Sequence, residues 1–497
     1  MNKIVIEYGK QEKKISKYIY GHFAEHIGGV MYDGLYVGED SNVPNVKGFR
    51  KDIIDLLKNI NIPVLRWPGG CFVENYDWRD GIGEQSTRPI RVNFWHNDDG
   101  KLESNKVGTH EFAEFCEILG TEPYFAVNCT TTPALEARNW VEYCTFDKDT
   151  TLTRLRKENG REEPFNIPFW GLGNECWGDG GRMSGDYYAC IYNNYSSVVS
   201  RVKRDGYYIA CGPNENDKKW TKSFFEQLYS IRPAFNPIIN GYSMHYYTRG
   251  GGHCIDFNES EWYNLLFNGL KMKDYIEDQR AIIDEYDPER KIGLIVDEWG
   301  AWHPVNSGPS KGANLFEQQS TVRDALLAAL TLNIFNDKAD IVKMANVAQV
   351  CNNLHCLFLT VGEKLIVTPT YYVFDMMKGH QDANALAVTL DTDYIGVDKG
   401  IEIPRISVSA SEKDGKTLVT LANTSYSEEC ELTVELTSKE FNGEIETVLL
   451  TAENPNDYND VDCNKVVPVC GKVQACGGKV TLKMPKASVM SLSFETK

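Results

Sequence analysis

A chain of 497 residues is too long for one compact core, so two or three domains are expected. Hydrophobic residues make up 42% of it and charged ones 25%, the balance of an ordinary soluble globular protein. The 70 acidic side chains outnumber the 52 basic ones, and the resulting charge of −18 repels nucleic-acid phosphates and anionic lipid, so neither is expected as a partner.

The chain opens MNKIVIEYGK, interrupted by charge and without the apolar core of a secretion signal. No later stretch reaches the roughly 18 to 20 apolar residues that a membrane-spanning helix needs, so a cytoplasmic location is expected. From there to about residue 380, short apolar runs alternate with amphipathic ones. The predicted strands are 18–26 (YIYGHFAEH), 62–70 (IPVLRWPGG), 122–128 (EPYFAVN), 169–175 (FWGLGNE), 207–213 (YYIACGP), 241–247 (GYSMHYY), 292–299 (IGLIVDEW) and 340–349 (DIVKMANVAQ). Helix-like segments at 49–60, 109–120 and 186–204 lie between them, with apolar residues at helical spacing. Eight strands with polar residues collecting at nearly every C-terminal end favour a closed (β/α)8 TIM barrel, expected over 17–380, over an open doubly wound sheet. No GxGxxG or phosphate loop opens a helix, which leaves nucleotide binding without support.

After about residue 380 the period changes to two. The segments 405–411, 417–425, 430–437, 446–452, 479–485 and 488–495 predict an antiparallel β-sandwich of the jelly-roll kind over 381–497. The strand-like piece 3–9 is expected to join it, giving the sandwich residues 1–16 as well. Gly- and Asp-rich stretches at 248–256, 304–313 and 391–400 read as surface loops.

Fourteen cysteines, thinly spread and without a secretion signal, are expected to be reduced and mostly buried. Two groups invite a zinc reading: Cys351 with His355 and Cys356, and Cys463 with Cys470 and Cys476. Neither has the paired C-x-x-C spacing of a structural site, so no metal and no cofactor is expected.

The predicted strand ends carry the chemistry. They bring Glu25 and His26, Arg66 and Cys71, Asn128, Asn174 and Glu175, His245 and Tyr247, Glu298, and Asn346 with Gln349 to one mouth, and Trp67, Trp95, Trp177, Trp299 and Trp302 stand nearby. Apolar faces beside many hydrogen-bonding groups suit a sugar. Glu175 and Glu298 end strands four and seven, so they can face each other across one pocket. Paired carboxylates without a metal triad or a Ser-His-Asp set point to glycoside hydrolysis, with one carboxylic acid protonating the leaving oxygen and one carboxylate attacking the anomeric carbon. Arg66, if it reaches Glu298, favours its ionised form; negative charge around Glu175 suits the acid role. Single members have plainer readings: His245 as a structural histidine, Trp67 and Trp299 as core, Cys71 as a small apolar filler.

The segments GHFAEHIGG (21–29), RWPGGCFVENYDWRDGIG (66–83), GLGNECWG (171–178), SMHYY (243–247), VDEWGAW (296–302) and NVAQVCN (346–352) together resemble the α-L-arabinofuranosidases of glycoside hydrolase family 51. The resemblance implies a retaining exo-acting enzyme that trims arabinan- and arabinoxylan-derived oligosaccharides. It makes Glu175 the acid/base and Glu298 the nucleophile. Glu25, Asn174 and Gln349 would bind the arabinofuranosyl hydroxyls, Arg66 and Tyr247 would hold the nucleophile, His245 would support the acid/base, and Trp95 and Trp302 would flank the substrate. It also implies a homo-oligomer, often a hexamer. Many members carry Asn after the Pro-Gly-Gly turn where this chain has Cys71, and a thiol is a poor partner for a sugar hydroxyl. The alternatives are a related barrel hydrolase such as a β-xylosidase or endo-β-glucanase, and a non-catalytic carbohydrate-binding protein, for which two glutamates in register have no use.

Overall fold

The computed structural model describes residues 2–10, 13–96, 101–231, 236–304, 307–437 and 441–495. Eight short strands, β1 (Gly21–Phe23), β2 (Val64–Trp67), β3 (Glu122–Val127), β4 (Phe169–Leu172), β5 (Tyr207–Ala210), β6 (Gly241–Thr248), β7 (Gly293–Ala301) and β8 (Val342–Ala348), close into a barrel in chain order. They are the eight predicted. β1 is shorter than its predicted run because Lys17–Tyr20 turns as a 3-10 segment before the strand begins. The strands read as continuous apolar runs because they are buried almost throughout, as strands inside a ring of helices must be. Register sets Arg66 of β2 beside Tyr124 of β3, and Tyr124 beside Phe169 of β4.

The helices follow from their periodicity. Lys51–Asn59, between β1 and β2, buries Ile53, Ile54 and Leu57 on one face, with Asp52 in its first turn and Lys58 in its last to complement the helix dipole. Val322–Asp337 is buried on almost every side, and the reason is visible in its polar residues. Asn333 and Asn336 donate to Ser407 and Ser409 of a sandwich strand at 3.0 and 3.1 Å.

The chain divides into two compact units. One comprises Gly21–Tyr246 with Tyr275–Glu298; the other comprises Met1–Tyr20, Tyr247–Asp274 and Trp299–Lys497. The second holds two sheets, of four and seven strands, whose inner faces share one core: Ile4, Leu432, Val434, Val480 and Leu482 against Ile406, Val419, Leu421, Ile445, Leu492 and Phe494. Asn2–Glu7 joins the four-stranded sheet, between Ala387–Asp391 and Cys430–Thr437. It runs antiparallel to the first and parallel to the second, so the sandwich is not antiparallel throughout.

Two stretches differ from the sequence reading. Residues 391–400, read as a loop, contribute to a hairpin of Tyr394–Asp398 with Ile401–Pro404, polar enough to resemble a loop because most of it is exposed. A second hairpin, Phe358–Val361 with Lys364–Val367, was not anticipated; its turn carries Gly362 at φ +60°, the conformation a tight reversal needs. Of the stretch 248–256, Thr248 ends β6 and 249–256 form a loop, and of 304–313 the residues 305–306 lie outside the described ones.

Candidate active site

The two glutamates reach the site by different routes. Glu298 lies within β7, three residues before its end, and is held rigidly by the ladder on either side. Glu175 lies three residues beyond β4, after Gly173 at φ +90°, and itself adopts φ +41°. That turn directs its carboxylate back over the barrel. His245 of β6 stands between the two: its Nδ1 is 3.0 Å from Glu175 Oε1 and 3.5 Å from Glu298 Oε2. The three ligand atoms all lie within 4.8 Å of one another.

Arg66 of β2 ties the two sides together. Nη1 donates to Glu298 Oε1 at 2.8 Å, Nη2 donates to Asn174 Oδ1 at 2.6 Å, and Nε is 3.8 Å from Asp297, which also accepts a 2.8 Å bond from the Tyr124 hydroxyl. The guanidinium lies over the Phe23 ring at 4.6 Å. Burial alone would lower the Arg66 pKa, but Asp297 and Glu298 outweigh it and hold the charge firmly. With Arg66 only 1% exposed, breaking this pair would leave two buried carboxylates uncompensated, a loss of about 3–5 kcal/mol.

Glu25 forms the next corner. Its Oε1 accepts from the Phe72 N–H and from Trp95 Nε1, both at 2.9 Å. A Cβ on Gly70 would stand 2.5 Å from both carboxylate oxygens, so the Pro-Gly-Gly turn is bare where Glu25 presses against it. Burial, then the nearby Glu298 charge, raises the Glu25 carboxyl to about 7. Cys71 fills the space between the corners: its Sγ donates to Glu175 Oε2 at 3.3 Å and accepts from Asn174 Nδ2 at 3.7 Å. Burial and the surrounding carboxylates push its thiol far up, so it stays protonated.

The remaining candidates fall on the other unit. Tyr247 near the end of β6 and Trp302 just after β7 meet edge to face at 5.0 Å, and Arg249 lies over the Trp302 ring at 4.5 Å. Gln349 follows β8 directly and is buried. Several residues collected at strand ends serve the scaffold instead. His26 bonds Glu103 at 3.0 Å and accepts from Trp67 Nε1 at 2.9 Å. Asn128 orders the 128–131 turn through bonds from the Thr130 and Thr131 N–H groups. Trp67 stacks on Phe112, and Trp299 packs against Phe335 and Phe374. His355 has Ala301 and Thr370 as partners of its two ring nitrogens, which accounts for it without Cys351 or Cys356.

Three contributors escaped the sequence reading. Glu74 accepts from the Asn174 N–H at 2.9 Å and pins the loop that carries Glu175; burial raises its carboxyl to about 7. Asn93 accepts from the Trp95 N–H and donates to Glu103, so it orients the tryptophan that touches Glu25. Tyr124 fixes Asp297. Glu74 sits inside the 66–83 motif, the one signal that pointed toward it.

His245 makes the site sensitive to pH. Burial alone would lower the imidazole, but the carboxylates of Glu298 and Glu175 overcome it and raise it from 6.5 to about 9. A raised value means that the imidazolium contributes stability fully below pH 6.5 and loses it as pH climbs through 9. Urea denaturation should therefore show the wild type losing more stability between pH 6.5 and 9 than His245→Gln. Parallel curves would contradict the assignment.

Residues 56–252 match the family model "Alpha-L-arabinofuranosidase 1 domain" and 297–488 match "Alpha-L-arabinofuranosidase C-terminal domain". An intracellular exo-α-L-arabinofuranosidase of Bacteroides ovatus is 38% identical over 99% of this chain and 95% of its own. The chain belongs to the α-L-arabinofuranosidases of glycoside hydrolase family 51. The crystal structure of the family 51 arabinofuranosidase of Xanthomonas axonopodis pv. citri superposes with a TM-score of 0.93 at 36% identity, covering 100% of this chain and 99% of that one. The arabinose complex of the Thermotoga maritima α-L-arabinofuranosidase gives 0.88 at 27%, with all of both chains covered. The fold expected of an arabinofuranosidase, an eight-stranded barrel with a C-terminal β-sheet domain, is the fold found.

Proposed function

We propose that this α-L-arabinofuranosidase removes terminal arabinofuranosyl groups from short arabinan- or arabinoxylan-derived oligosaccharides by double displacement. The observation that carries the reading is the spacing of the carboxylates: an oxygen of Glu175 and one of Glu298 lie within 4.8 Å. Retaining enzymes hold the two carboxyl groups about 5 to 5.5 Å apart, whereas inverting ones need roughly 6.5 to 9.5 Å to admit water between them.

Glu298, beside the Arg66 cation and 6% exposed in its side chain, is the ionised nucleophile. Glu175, 19% exposed, can reach both leaving group and solvent. In the first step Glu175 gives its proton to the glycosidic oxygen while Glu298 attacks the anomeric carbon; the C–O bond to the leaving group breaks and a furanosyl ester forms. In the second, the Glu175 carboxylate takes a proton from water, whose oxygen attacks the same carbon and releases Glu298. Glu25, Asn174 and Gln349 bind the ring hydroxyls, His245 supports Glu175, Tyr247 supports Glu298 and Trp95 and Trp302 flank the sugar. Cys71 holds the place where an amide would contact the substrate. Two carboxylates suffice for the reaction, so no cofactor is invoked.

The exo reading draws on the Bacteroides ovatus relative, named exo-acting and intracellular. Together with the absence, among the described residues, of a helix long and apolar enough to cross a membrane, that name supports a cytoplasmic enzyme. The family resemblance adds a homo-oligomer, with a hexamer the mass to expect by light scattering. Digestion of arabinohexaose should give only arabinose and arabinopentaose at the first turnover, and proton NMR should show the substrate's α configuration in the arabinose released. Early internal cleavage, or an inverted first product, would overturn the reading.

A further inference from the structure

The active centre has a second chemical capacity that hydrolysis does not call on. Among the described residues, Glu175, His245 and Glu298 are the one group of three or more ligating side chains whose donor atoms converge within 4.8 Å. Two of the three spacings are close to the edges of a coordination tetrahedron. Zinc takes imidazole nitrogen at about 2.0–2.1 Å and carboxylate oxygen at about 2.0–2.2 Å, which sets the edges of its tetrahedron near 3.4 Å. The two edges that meet at His245, from Nδ1 to Glu175 Oε1 and to Glu298 Oε2, are 3.0 and 3.5 Å.

We propose that these three side chains form a zinc site superposed on the catalytic centre, with the fourth position left to water, so that Zn2+ competes with the sugar. Competition rests on the catalytic reading above; binding does not. An imidazole nitrogen beside two carboxylate oxygens suits zinc, whereas Mg2+ and Ca2+ favour all-oxygen ligand sets. Cys71, whose Sγ stands 3.3 Å from the other Glu175 oxygen, adds a soft donor beside the site. The scaffold is already rigid: Glu298 is in a barrel strand and braced by Arg66, and His245 is in the neighbouring strand. The imidazole would give up its Nδ1 proton to solvent as the cation enters, and the two glutamates would no longer be available to accept or donate protons.

Calorimetric titration of ZnCl2 into the full chain tests this. The exposed thiols of Cys190, Cys463, Cys470 and Cys476 should first be alkylated, because they bind zinc indiscriminately. One equivalent should bind, L-arabinose should weaken it, and zinc should raise the apparent KM of arabinoside hydrolysis with kcat unchanged. Glu298→Gln should weaken binding at least about 10-fold, the least that loss of even an outer-shell partner causes; if that variant does not fold, His245→Gln serves. No saturable binding to the alkylated protein, binding untouched by either substitution, or binding indifferent to arabinose would overturn the proposal. Normal arabinoside turnover without zinc binding would sink this inference alone, and stoichiometric zinc binding by a protein that turns over no arabinoside when zinc is absent would sink the catalytic reading alone.

Discussion

Glu298→Ala should lower hydrolysis of a nitrophenyl α-L-arabinofuranoside on the order of 10^4- to 10^6-fold, equivalent to about 5–8 kcal/mol of lost transition-state stabilisation. The loss is large because nothing else in the centre can take the nucleophile's place. Arg66 would retain Asp297 and Asn174 as partners, but no carboxylate would remain beneath the anomeric carbon. Azide fits the space that the side chain vacates. It should restore turnover and yield the inverted, β-configured arabinosyl azide, because it attacks from the nucleophile's side without a prior ester. An α-configured azide would exchange the roles of the two glutamates, and near-normal rates without azide would remove Glu298 from the mechanism.

Glu175→Ala separates the two chemical steps. General acid–base help is worth about 10^2- to 10^4-fold, and its weight depends on the leaving group. With nitrophenolate, which leaves without a proton, ester formation should be nearly unaffected and its breakdown slow, so mass spectrometry should detect the furanosyl ester on Glu298. With an arabino-oligosaccharide the first step should fail, and the full loss should appear there. Azide, needing no base, should cleave the ester and give the α-configured product. Equal losses on both substrates with no accumulating ester would assign Glu175 a role in binding instead.

The barrel was legible because its two periods are strong: eight apolar runs, each ending in polar residues, could scarcely be arranged in another way. Glu175 and Glu298 were legible for the same reason, since strand termini locate them. What period and spacing could not convey is which side chains distant in sequence complete each other's hydrogen bonds. His26 looked like a site residue at a strand end, yet Glu103, 77 positions later, draws it away. Glu74 looked like one charge in a motif, yet it holds the Asn174 backbone 100 positions on. The hairpin at 394–404 escaped because an exposed ribbon has no buried face to impose alternation, and the one at 358–367 because its strands are only four residues each.

The N-terminal strand has a consequence for how the protein is made. Ile4 pairs with Val434, so about 430 residues separate two neighbours in one sheet. At the roughly 5–20 residues per second of ribosomal synthesis, this strand spends about 20–90 s without its later partner. During that interval it is a short, alternating, apolar segment in the open, the kind that templates unwanted pairing. Lys3 and Glu7, on the face turned away from the core, are its defence, and replacing both with valine should lower the soluble yield before it changes activity.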